Sequence, residues 1–152
     1  MKALRIITSI VALLALTYYA YQYFGKPNGK KYEYDKKHSV YYKGLTETDA
    51  KKTAEYLHTL GYFTGDNEGS VQITSDKELK DTIGLHFIVQ KDKVTPEVET
   101  AFTSIAADMD TKVFNGKPLH LYLSDKYFDE VKDLGYVQPV QGQTEQKTEE
   151  QK

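Results

Sequence analysis

Residues 6–24 read IITSIVALLALTYYAYQYF, nineteen positions without a charge. As a helix rising 1.5 Å per residue they cover about 28 Å, close to the ~30 Å hydrocarbon layer of a bilayer. No other feature constrains the chain as much, and it predicts a single transmembrane anchor over residues 1–25. Tyr18, Tyr19, Tyr21, Tyr23 and Phe24 crowd its last third, where amphipathic rings favour the headgroup level. A cleaved signal peptide is the competing reading. Cleavage needs small side chains at alternating positions, and Tyr18-Tyr19-Ala20 puts a ring where one is required. The chain has no cysteine for lipid attachment, disulfides or thiolate metal ligands.

Lys2 and Arg5 stand before the apolar run, and Lys26, Lys30, Lys31, Lys36 and Lys37 follow it. The positive-inside rule counts both sets. A basic start followed at once by an apolar run has the layout of a signal anchor. The expected topology is therefore an N-terminus in the cytoplasm and a domain outside it. The lysine run reads as a solvated stalk beside acidic headgroups.

The net charge of −2 conceals segregation: residues 26–37 carry +3, whereas residues 38–136 hold 11 lysines against 17 acids. A domain at −6 repels phosphate backbones, so nucleic acid is not an expected partner. Pro27 between Gly25 and Gly29 breaks the first helix, and residues 26–37 read as a basic linker. Residues 137–152 form a polar tail, whose last twelve, QGQTEQKTEEQK, have no apolar side chain to bury.

Between those limits the hydropathy alternates in a regular way. Residues 39–43 read as a strand, and Thr46 with Asp49 caps a helix whose stripe is Ala50, Thr53, Ala54, Leu57 and Leu60. Gly61 closes it. Val71 and Ile73 mark a second strand, and Ile83, Leu85, Phe87 and Val89 a third. Thr95-Pro96 opens a second helix with Val98, Phe102, Ile105 and Met109 on one face. Asn115-Gly116 turns the chain into a strand at Leu119, Leu121 and Leu123. Residues 125–134 read as a short third helix, with Tyr127, Phe128, Val131 and Leu134 apolar. The expected fold class is α+β, a ferredoxin-like β-α-β-β-α-β sandwich over residues 38–136 with a short C-terminal helix. Right-handed crossovers then place both helices on one face of an antiparallel sheet.

Period-two alternation sends Tyr41, Gln72, Thr74, His86, Ile88, His120 and Tyr122 to the other face. Ferredoxin-like strand order would bring Tyr41, His86, His120 and Tyr122 together. With Ile88, these are the candidate binding residues. Aromatics also suit any half-buried strand, so packing is the plain alternative. Two histidines without a carboxylate on their own strands make an incomplete zinc site. The loop Gly65-Asp-Asn-Glu-Gly69 lacks EF-hand spacing. No GxSxG, HExxH, GxGxxG or P-loop pattern occurs. Neither an enzyme nor a cofactor or metal is expected.

The stretch VYYKGLTETDAKKTAEYLHTLGYF, residues 40–63, resembles the opening half of a SPOR domain, the peptidoglycan-binding module of bacterial envelope proteins. The shared features are a strand, a capped helix with Asp49-Ala50 near its start, a Leu57…Leu60-Gly61 ending and a following aromatic. The resemblance implies a ferredoxin-like fold behind a membrane anchor and glycan binding through the sheet. The chain is also similar in outline to ferredoxin-like modules of secretion and pilus inner-membrane proteins, which serve assembly. Together these features lead to the expectation of a non-catalytic bacterial envelope module. It would sit in the bilayer through residues 6–24 and contact a partner protein, with peptidoglycan as the alternative ligand.

Overall fold

A computed structural model describes residues 28–65, 68–75 and 81–137. The expected anchor (1–25), the first two linker residues and the tail beyond Val137 lie outside the described residues. Among those described, no helix is long and apolar enough to cross a membrane.

Eight main elements follow in order: β1 (Lys30–Glu33), β2 (His38–Lys43), α1 (Glu47–Thr59), β3 (Gly69–Ser75), β4 (Ile83–Ile88), α2 (Pro96–Lys112), β5 (Leu119–Ser124) and β6 (Glu130–Val137). A short 3-10 turn, Lys91–Lys93, precedes α2. The six strands form one mixed sheet in sequential order. β2 and β3 are parallel, as are β4 and β5, and the remaining neighbours are antiparallel.

The local signals act as their chemistry requires. Thr46 and Asp49 form a reciprocal capping box at the start of α1, satisfying two backbone donors that helical bonding leaves orphaned. Thr95 accepts from Val98 N and Pro96 takes the first helical position of α2. One face of the sheet is the core. Val40, Val71, Phe87 and Leu123 lie in one register row, Tyr42, Ile73, Leu85 and Leu121 in the next. All are buried against the apolar faces of α1 and α2. Both helices share that face: Tyr56 of α1 donates to Asp108 of α2 at 3.0 Å, and Phe102 packs 4.6 Å from Phe87.

The α+β class and the β-α-β-β-α-β succession hold, but the ferredoxin-like arrangement does not. In that arrangement the strands joined by a helix are separated by another strand. Here each helix joins immediate, parallel neighbours. A further correction concerns handedness. β2 and β3 run one way and β4 and β5 the other, yet both pairs are laid down in the same direction across the sheet. With both helices on one face, the two crossovers must have opposite hands. One of them therefore departs from the right-handed rule.

Two strands stand where none was expected. β1 lies inside the segment read as linker, and its charged sequence, KKYE, is that of an edge strand that discourages further pairing. The turn after it is pinned by Asp35, which accepts from Lys37 N at 2.7 Å, His38 N at 2.8 Å and His38 Nδ1 at 2.7 Å. Those bonds, led by the imidazole, hold its carboxyl at about 2. The expected third helix is instead a turn followed by β6. Asp125 Oδ1 accepts from Tyr127 N and Asp129 N, Phe128 adopts φ +66°, and residues from Glu130 onward pair with β5.

Candidate functional site

The second face of the sheet carries the candidate residues, and no described helix lies on it. Strand alternation puts Tyr41, Gln72, His86 and Tyr122 in one register row of this face, with Thr74, Gly84 and His120 in the next. His86 and Tyr122 stack at 4.5 Å between centroids with planes 13° apart. His120 and Tyr122 stack at 4.4 Å and 10°. Two rings cannot share one side of a phenol at such spacings, so Tyr122 sits between the two imidazoles. Tyr136 of β6 extends the group, 4.7 Å from His120 and tilted by 44°. Gly84 makes room for it. A Cβ there would collide with Thr74 Oγ1 and stand 3.4 Å from His86 Nε2.

Tyr41 does not join this group. The observed order leaves β3 between its strand and β4, so Gln72 intervenes. Tyr41 instead meets Phe128 edge-on at 5.2 Å, as the turn after β5 reaches back over the sheet. Ile88 lies on the same face but lines a separate concavity of about 290 Å³ with Tyr62, Ser70 and Lys126.

Electrostatics divide the two histidines. Burial, then the neighbouring His120, pushes the His86 imidazole down to about 4. It is therefore neutral near pH 7, with Nδ1 3.2 Å from Ser124 Oγ. His120 Nε2 lies 2.6 Å from Asp133 Oδ1, which also accepts from Gly135 N at 2.7 Å. Burial tends to raise the Asp133 carboxyl, but the His120 bond, the Gly135 amide and the imidazole charge outweigh it and hold it low. In the bond to Asp133 Nε2 is the donor, and Nδ1 is buried without a hydrogen-bond partner. Tyr122 separates the imidazoles, and no group of three or more metal-ligating side chains gathers among the described residues.

Asp133, Tyr136 and Phe128 escaped sequence reasoning because residues 125–134 carry helix-like spacing. One usable signal was Gly135, which takes φ +80° beside the bulged pairing of β5 and β6.

Residues 32–136 match the family model described as AF_1994_N, a family N-terminal domain, and the chain belongs to that family. Neither the curated proteins nor the solved structures gave a match.

Proposed function

We propose that this family member is a single-pass, membrane-anchored, non-catalytic binding module of the cell envelope that holds a partner protein against its ring-bearing face. Residues 6–24 cross the bilayer, with Lys2 and Arg5 inside and the domain outside the cytoplasm. The supporting observation is the stack His86–Tyr122–His120–Tyr136, whose last ring is 49% exposed. Tyrosine is enriched at interface hot spots. A ring held by stacking has already lost its rotamer freedom, so binding costs less entropy. The sheet edges favour this face further, since Lys30, Lys31, Glu33, Lys132 and Asp133 place charge along β1 and β6.

Peptidoglycan binding would need ring faces turned outward to meet sugar C–H groups. The inner rings turn their faces to one another instead, which favours protein over glycan. A photoreactive residue at Tyr136, Tyr122 or Ile88, irradiated in intact cells, should yield a discrete protein adduct. Only uncrosslinked chain from all three positions would sink the proposal. Sedimentation of the domain with peptidoglycan sacculi would reinstate the glycan. A cytoplasm-only fluorescent protein fused after Lys152 should stay dark.

A further inference from the structure

The chain joins the described fold on the ring face itself. Gln72 Nε2 donates to Asn28 O at 3.1 Å, and Gln72, with 5% exposure, projects from that face. Gly29 makes the approach possible. It adopts φ +84°, and a Cβ there would collide with the Tyr42 carbonyl. Asn28 thus crosses above β2 to reach β3, although β1, which it feeds, lies at the sheet's edge.

This placement has a metric consequence, which rests on the anchor reading proposed above. Four residue steps separate Phe24 from Asn28, at most about 14 Å of extended chain. With residues 6–24 across the bilayer, Asn28, which touches the ring face at Gln72, is held within that distance of the membrane boundary. β6 lies three strand spacings farther, about 14 Å, so, with the Gln72 side chain between Asn28 and the sheet, Tyr136 stays within roughly 40 Å of the bilayer however the sheet tilts. Where the face lies flat, the gap admits one helix of roughly 10–12 Å diameter or one extended strand. It does not admit a folded domain, whose radius of gyration alone is about 13 Å at 100 residues.

We infer that the partner taken by this face is another membrane protein, engaged through the segment beside its own membrane exit. The chemistry of the face fits that level. Tyr41, Tyr122 and Tyr136 are amphipathic rings of the kind that favour the headgroup region. Acidic lipid itself is a poorer occupant, because residues 38–136 carry −6.

The test uses the full chain in intact cells, with a photoreactive residue at Tyr136 and its adducts mapped to single residues. The expected adduct lies within about ten residues of a transmembrane segment of the captured protein. Inserting twelve Gly/Ser residues between Lys26 and Pro27 should reduce it at least threefold, because the face is no longer held close. Adducts confined to a water-soluble protein, adducts confined to lipid, or a yield unchanged by the insertion would each overturn the inference. Alkaline carbonate extraction separates this failure from that of the anchor. A chain released from the membrane fraction refutes the premise, whereas a retained chain with the wrong adducts refutes only the partner assignment.

Discussion

The two faces of the sheet come from the same strands yet are held together by different physics. On the helix face, Val40, Val71, Phe87 and Leu123 are fully excluded from water and packed against α1 and α2. Burial there is non-directional and scales with apolar area. On the ring face, His86, Tyr122, His120 and Tyr136 stand in fixed orientations set by stacking, by Ser124 and by Asp133. One face therefore responds to volume and the other to protons and hydrogen-bond partners.

That contrast can be broken most severely at Phe87. Phe87→Ala removes a fully buried ring and should cost about 3–5 kcal/mol, read as a lowered denaturant midpoint with an unchanged slope. A loss below about 1 kcal/mol would mean that the helix face is loosely packed. The next effect in size depends on pH. His86 is held at about 4 in the fold against 6.5 ordinarily, so between those values the unfolded chain binds a proton that the folded one refuses. Stability is full above pH 6.5 and should fall by an order of 2–3 kcal/mol as pH drops toward 4. His86→Phe keeps a ring and should flatten that slope, and an identical slope in the variant would show that other groups titrate. Smallest is Asp133→Ala, which strips His120 of its hydrogen-bond partner. It should cost about 1 kcal/mol and loosen β6, visible as faster amide exchange at Gly135 and Tyr136. No change in exchange there would leave the Asp133–His120 pair without a structural role.

How much of this was legible depends on which neighbour a signal involves. The caps at Thr46 and Thr95 are local and were readable, as was the assignment of Leu85 and Leu121 to one face and His86 and Tyr122 to the other. Strand order was not, because alternation specifies a face and says nothing about which strand lies alongside. That is why Tyr41 was placed with His86, although Gln72 stands between them. β1 was hidden by its edge charges. β6 was hidden by shifts in its pairing at Leu121/Tyr122 and Leu123/Ser124, which break the period-two pattern. Asp133, the partner of His120, was lost with it.

The opposite hands of the two crossovers carry a consequence for ancestry and for engineering. β2-α1-β3 and β4-α2-β5 look in sequence like tandem copies of one motif. No rotation superimposes strand on strand and helix on helix while keeping chain order. A duplicate of the first unit spliced in place of the second would deliver its helix to the side where Tyr122 and His120 now stand. Chimeras that exchange the two units should therefore fail to assemble this sheet, even with every turn residue retained.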